Sequence, residues 1–171
     1  MYKKISIVGA PGTGKTTLAN KLSEILQIEA THIDGLHYLP NWQIRDKSER
    51  DTIILNIVKK DKWIIDGTYK STLKARFESA DLIIWLDFST INQLKGILNR
   101  YIKNKGIEKV EIPGCKEKMD IKFFLYVLRY NKTKRNFIVE NLEGIDENKL
   151  LILKNRKSVN KWINTLRELE L

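Results

Sequence analysis

Apolar residues along this chain recur in two rhythms, one with helical spacing and one in short unbroken runs. Residues 4–8 (KISIV) predict a short strand. Residues 15–26 place Leu18, Leu22, Ile25 and Leu26 on one helical face. A second strand is predicted over 28–33, ending at Asp34, and a helix over 46–60 with Ile53, Ile54, Ile57 and Val58 inward. A third strand over 63–65 ends at Asp66-Gly67, and a short helix follows over 71–78. Residues 82–86 (LIIWL) are continuously apolar, as in a strand buried on both faces. Ser89 suits the cap of a helix running to about Asn104. Residues 106–118, with Pro113-Gly114, read as a loop, and 120–141 as one long helix. A fifth strand over 150–153 precedes a last helix capped by Ser158, with Val159, Trp162, Ile163, Leu166 and Leu169 facing the core.

Strands separated by helices predict right-handed crossovers and an α/β fold, a parallel sheet with helices on both faces. Ligands of such sheets bind at the carboxyl ends of the strands. The first four predicted strands end at Gly9, Asp34, Asp66 and Asp87. One edge of the sheet therefore collects a glycine loop and three carboxylates. No repeat or linker interrupts the 171 residues, so one domain over 1–171 is expected.

The glycine loop is specific. Residues 9–16, Gly9, Ala10, Pro11, Gly12, Thr13, Gly14, Lys15 and Thr16, spell G-x-x-x-x-G-K-[ST] between a strand and a helix. Glycines let successive N–H groups turn inward, and these amides with the helix N-terminus hold phosphate oxygens. Lys15 adds a charge at the terminal phosphates, and Thr16 offers a hydroxyl to Mg²⁺. Thr17 continues the loop into the helix. The guanine-reading N-K-x-D is missing, since Asn131-Lys132-Thr133 leads to Lys134. No strand ends in the Asp-Glu pair of motor ATPases. What remains is a small kinase with a basic lid.

Charge sharpens the lid. The chain carries 31 Lys and Arg against 21 Asp and Glu, a net of +10. Residues 95–135 hold 12 basic and 4 acidic side chains, so most of the excess lies in this block. An anionic partner follows, nucleotide phosphates or nucleic acid; a solvated lysine-rich face is the plainer alternative. Hydrophobic residues at 42% and charged residues at 30% fit a soluble globular protein. The single cysteine, Cys115, excludes a disulfide framework and fits a reducing cytoplasm. Ile5 to Gly9 is too short for a signal-peptide core or a membrane span.

These residues resemble a known family. GAPGTGKT (9–16), HIDGLHYLPNW (32–42), KWIIDGTY (62–69), ARFESADLIIWLDF (75–88) and IPGCKEKMD (112–120) resemble the adenylate-kinase-related P-loop kinases called DNA topology modulation proteins. The resemblance spans nearly the whole chain. It implies a five-stranded parallel sheet in the order 2-3-1-4-5, ATP binding, and phosphoryl transfer to an acceptor that the family name does not identify. It also implies adenine contacts from Asn155-Arg156, after the fifth strand. Lys103 and Lys105 stand where Arg is expected in the lid, and Lys cannot make the bidentate fork to phosphate.

Roles follow from position. Lys15 and the loop amides hold the phosphates, while Thr16 and Asp87 form the Mg²⁺ shell, unless Asp87 merely caps the next helix. Asp34 orients or deprotonates the acceptor hydroxyl, unless it is a turn residue before Gly35. His37, Tyr38, Trp42, Asp66, Gly67 and Arg76 are acceptor-side candidates within and beyond a segment at about 35–60. Loop packing is the alternative for Tyr38 and Trp42, and a carboxylate pair for Arg76. His32 and His37 flank Asp34 but lack the spacing of a transition-metal site. Arg100, Arg129 and Arg135 are the catalytic lid candidates over about 100–135, with surface ion pairs as the alternative. Lys109, Lys116 and Lys118 add charge within it, and the lid is expected to move. Cys115 has no obvious base. A nucleic-acid-binding regulator with little or no kinase activity is the competing reading; the aromatics at 101–130 that would support it fall at core spacing.

Overall fold

The computed structural model describes residues 2–117 and 120–170. Lys118, expected in the lid, and position 119 of the IPGCKEKMD stretch lie outside the described residues. Strand β1 (Lys4–Gly9) runs into the glycine loop, and helix α1 (Lys15–Leu26) leaves it. Strand β2 (Ala30–His32) stops earlier than the apolar run suggests, because the chain turns at once into the short helix α2 (Ile33–His37). Asp34 and Gly35 favour such local turning, and the N–H of Tyr38 closes it on the Asp34 carbonyl. A small hairpin of β3 (Tyr38–Leu39) and β4 (Gln43–Ile44) follows. Helix α3 (Lys47–Val58) is capped by Asp46, whose carboxylate accepts from the N–H groups of Ser48 and Glu49. Strand β5 (Trp63–Asp66), helix α4 (Lys70–Ser79) and strand β6 (Leu82–Leu86) stand within a residue of expectation. Ser89 caps helix α5 (Thr90–Asn104) as its position suggested.

The stretch expected as a loop at 106–118 is instead paired. Strands β7 (Glu108–Lys109) and β8 (Ile112–Lys116) form an antiparallel hairpin. The expected single helix over 120–141 is two, α6 (Ile121–Thr133) and α7 (Arg135–Leu142), divided at Lys134, which stays in the right-handed region but with φ stretched to −119°. Strand β9 (Leu150–Leu153) leads to α8 (Arg156–Glu170). That last helix begins two residues before Ser158, and Asn155 caps it by accepting from the Ser158 N–H at 2.9 Å. Leu169 is exposed rather than in the core.

The main sheet is parallel, in the order β2-β5-β1-β6-β9. Counting only these five strands along the chain, this is the order 2-3-1-4-5. Side chains alternate between the two faces with period two. Ile5, Ile7, Ile64, Leu82 and Ile84 pack beneath Leu18 and Leu22 of α1 and Ile163 and Leu166 of α8. Val8, Ile65, Ile83 and Trp85 face Ile54 of α3, Leu73 and Phe77 of α4, and Ile138 of α7. Each such side chain contributes roughly 1.5–3 kcal/mol by leaving water. Gly9, His32 and Asp66 end their strands, and Asp87 directly follows β6, so these four share the carboxyl edge of the sheet. Among the described residues no helix is long and apolar enough to cross a membrane.

Candidate active site

Gly9, Gly12 and Gly14 all adopt positive φ, at 147°, 79° and 88°. The loop between β1 and α1 therefore takes a course that side-chain-bearing residues disfavour. Thr13 Oγ1 donates to the Ala10 carbonyl (2.8 Å), and Lys15 Nζ donates to the same oxygen (3.0 Å). Burial lowers the Lys15 pKa, against the opposing charges of Asp34 and Asp66, while Arg100 adds to the lowering. The ammonium therefore gains from any anion that replaces the lost water. Pro11 and Thr16 are half-buried in the loop, and Thr17 is exposed at the helix start. Thr68 buttresses the entry: its hydroxyl accepts from the Gly9 N–H and donates to the Gly9 carbonyl, both at 3.0 Å.

Helix α5 presses on the loop from the other side. A Cβ at Gly96 would sit 1.9 Å from the Gly12 carbonyl, and one at Gly12 would sit 2.3 Å from the Gln93 carbonyl. Arg156 reaches over from the α8 start and donates to the Gly12 carbonyl (3.1 Å). With Thr13, Gly14, Thr17, Val159 and Asn160 it lines a cleft of about 130 Å³ between α1 and α8. Asn155 spends its side-chain oxygen on the helix cap.

The parallel register sets His32 beside Asp66. Their side chains meet at 3.2 Å, Nδ1 to Oδ1. Burial alone lowers the His32 pKa, but the Asp66 hydrogen bond and charge, with Glu111 and Asp34, leave it raised. Asp66 is buried, and its Oδ2 has no hydrogen-bond partner. Asp87, at the tip of β6, is held by Arg135 through a fork of 3.0 and 2.9 Å. Arg135 also lies over the Trp85 ring at 5.1 Å. Of the carboxylates on this edge, Asp66 thus keeps an uncommitted oxygen beside Lys15, whereas both oxygens of Asp87 are committed. Among the described residues no three His, Cys, Asp or Glu side chains form a metal cluster. The Thr16 hydroxyl and the Asp66 oxygen are the hard donors that suit Mg²⁺ arriving with a phosphate chain.

Asp34 sits in the first turn of α2 with its carboxylate exposed, and the Tyr69 hydroxyl donates to it at 2.9 Å. Burial and the Asp34 charge raise the Tyr69 pKa far above its usual value, so this donor stays protonated. His37, Tyr38 and Trp42 adjoin: the His37 ring lies 4.6 Å from Tyr38, and Tyr38 lies 5.2 Å from Trp42. Gly67 is buried against Ile33 and serves as a backbone turn at φ 128°. Arg76 departs from expectation. It is fully buried, donates to the Gly67 carbonyl, Ser6 Oγ and the Ile65 carbonyl, and its burial lowers its pKa to about 10. It ties strand ends together beneath the site and does not face an acceptor.

The lid hairpin rests on the acceptor-side segment. A Cβ at Gly35 would be 2.3 Å from the Glu111 carbonyl, and one at Gly114 would be 2.9 Å from Pro40. The Trp42 N–H donates to Cys115 Sγ (3.2 Å), which itself donates to the Leu39 carbonyl (3.4 Å). Cys115 is thus a packing residue. Asn41 and Trp42 both hold positive φ, near 61°, a strained turn for non-glycine residues. Arg100 and Lys109 converge on the buried Glu117 at 3.1 and 3.0 Å. Arg129 is exposed on α6. Sequence reasoning passed over Tyr69, Thr68, Gly96 and Glu117. The first two follow a strand tip directly; a glycine inside a helix and an acid inside a basic block were the other available signals.

The family described as ATPase family associated with various cellular activities (AAA) matches residues 5–87. That span covers the glycine loop and ends at Asp87. No curated protein matches the chain. Among solved structures, a shikimate kinase from Acinetobacter baumannii in complex with shikimate superposes with TM-score 0.61. It is 18% identical, over 98% of this chain and 92% of that one. A gluconokinase from Sinorhizobium meliloti 1021 superposes with TM-score 0.53 at 13% identity, over 98% and 93%. The fold is that of the P-loop NTPases, of adenylate-kinase-like type.

Proposed function

We propose that the chain is an ATP-dependent phosphotransferase acting on a small hydroxyl compound. The carrying observation is the arrangement of the glycine loop at the end of β1 and Asp34 in the turn after β2, both at the carboxyl edge of the sheet, with the Asp34 carboxylate exposed. Phosphoryl transfer needs this pairing of a phosphate cradle with a group that positions the attacking hydroxyl. The likeness to two small-molecule kinases supports the reading. The GAPGTGKT and HIDGLHYLPNW stretches support the finer affiliation with the topology modulation kinases.

In this reading the amides of 12–16 and Lys15 hold the β- and γ-phosphates, and Arg156 borders the nucleoside side. Thr16 and Asp66 would hold Mg²⁺, which neutralises phosphate charge when bound. Asp34, aimed by Tyr69, takes the acceptor proton. Arg100, Arg129 and Arg135 supply lid charge, Arg135 from its fork on Asp87. Thermal melting tests the donor site. At a hundredfold excess over its dissociation constant, Mg-ATP should add about 2.7 kcal/mol of stability. No shift at millimolar Mg-ATP, or an equal shift in Lys15→Ala, overturns the assignment.

A further inference from the structure

His32 and Asp66 meet because β2 and β5 run parallel and end in step. Side chains alternate between the faces of a sheet, so residues paired across parallel strands stand on the same face. The imidazole and the carboxylate lie side by side at 3.2 Å, and toward an ionised carboxylate Nδ1 is the donor. Asp66 is also opposite Ile7 of β1, and the Gly67 N–H donates to the Ile7 carbonyl at 3.1 Å. Two residues on, the Thr68 hydroxyl holds Gly9 through both its N–H and its carbonyl. The carboxylate therefore ends the strand that borders the glycine loop. His32 occupies Oδ1, while Oδ2 is buried and has no hydrogen-bond partner. Arg76, buried as well, donates to the Gly67 carbonyl, Ser6 Oγ and the Ile65 carbonyl instead. Lys15 Nζ donates to the Ala10 carbonyl. A buried carboxylate oxygen without a donor is costly, and a hard divalent cation is the ligand that such an oxygen suits.

We infer that His32 is a positioning residue: by holding Oδ1 it fixes the Asp66 carboxylate and leaves Oδ2 for the Mg²⁺ that accompanies the nucleotide. This rests on the phosphotransferase reading, with Asp66 as a cation ligand, and assigns the residue that stands behind that ligand. The terminal torsion of an aspartate is broad, so a hydrogen bond on one oxygen selects the orientation of the other. The role requires no contact of His32 with phosphate or acceptor; it acts through Asp66. Carboxylates that bind a metal are themselves hydrogen-bonded, and loss of such a partner costs roughly 10–100-fold in metal affinity.

The test uses the full chain and calorimetric binding of a non-hydrolysable ATP analogue, once with Mg²⁺ and once with EDTA, so that the metal-dependent part is read without turnover. His32→Phe keeps a ring and removes the donor. His32→Asn keeps an N–H donor on the same carbon that carries Nδ1. His32→Phe should bind the analogue roughly tenfold more weakly with Mg²⁺, with the EDTA value unchanged. His32→Asn should restore most of that loss. Asp66→Asn should lose at least as much, and adding His32→Phe to it should cost nothing further, because His32 acts through that carboxylate. Equal loss with Mg²⁺ and with EDTA in His32→Phe, no loss at all, or a His32→Asn as weak as His32→Phe overturns the inference. So does an Asp66→Asn that binds the analogue normally with Mg²⁺, which also removes Asp66 from the cation shell and leaves the phosphotransferase reading standing. Failure of that reading shows separately, as a native chain that binds the analogue in neither condition, and takes the inference with it.

Discussion

The His32–Asp66 pair exists because two parallel strands end in step, with His32 opposite Asp66 in the register. Its charge state follows from that placement. The His32 pKa in the folded chain is raised above the ordinary 6.5. A group whose pKa rises on folding stabilises most below its unfolded pKa and loses that contribution as pH climbs through the folded value. The advantage of the native chain over His32→Gln in urea melts should thus be largest below about pH 6.5 and fade on the alkaline side. A difference independent of pH would mean that folding leaves the His32 pKa unshifted, and one that grows on the alkaline side would mean that His32 is held neutral. Asp34 makes the companion case. Asp34→Asn should lower kcat by about a hundredfold or more, as loss of a general base does, with Mg-ATP affinity nearly intact. Tyr69→Phe should lower kcat less, since it frees the carboxylate without removing it. If Asp34→Asn weakens Mg-ATP as much as Lys15→Ala does, Asp34 belongs to the donor side.

Between elements, the closest approach in the site is the contact of α5 with the glycine loop. Gly96→Ala would force a methyl to within 1.9 Å of the Gly12 carbonyl. Backbone must move, so a loss of about 1–3 kcal/mol in urea melts is expected, with a larger loss of Mg-ATP binding because the loop itself shifts. Normal nucleotide affinity in that variant would show that the loop tolerates displacement. This contact also marks the boundary of what the sequence discloses. Patterns within one element were legible: Lys15–Leu26, Leu82–Leu86 and the Ser89 cap stand where spacing and cap chemistry place them. Contacts between elements were not. Arg76 looked like an acceptor ligand because its position says nothing of Ser6, Gly67 and Ile65, which surround it from other strands. Asp87 looked free for Mg²⁺ because Arg135 is 48 residues away in the chain. The β7–β8 hairpin has two-residue β7 and glycine and proline near by, too short a signal to separate from loop.

For the molecule as a whole, the open end of the sheet is bordered by two segments that lean on each other, the acceptor-side hairpin and the β7–β8 hairpin. Their contact is local packing at Gly35, Pro40 and Cys115, fastened by Glu117, which gathers Arg100 and Lys109. Residues 95–135 hold eight more basic than acidic side chains, so Glu117 is a scarce internal anion there. Polyphosphate offers the same cations several oxygens at once, and Arg100 already lowers the pKa of Lys15 by its own charge. Arg100 therefore has two competing partners, Glu117 in the hairpin and phosphate on the loop. Glu117→Gln should loosen the hairpin, with amide exchange over 108–116 at least tenfold faster without nucleotide. Mg-ATP together with an acceptor should restore slow exchange by giving Arg100 and Lys109 a new anion and by closing the site to water. Arg100→Ala should lower kcat by up to a thousandfold, with less effect on ATP affinity, if it acts on the transferring phosphoryl group. Slow exchange unaffected by Glu117→Gln, with normal turnover in Arg100→Ala, would show that the hairpin is fixed by packing alone. Arg100 would then have no part in phosphoryl transfer; if Arg129→Ala and Arg135→Ala also turned over normally, salt-sensitive binding of random DNA would become the measurement that decides what the basic block is for.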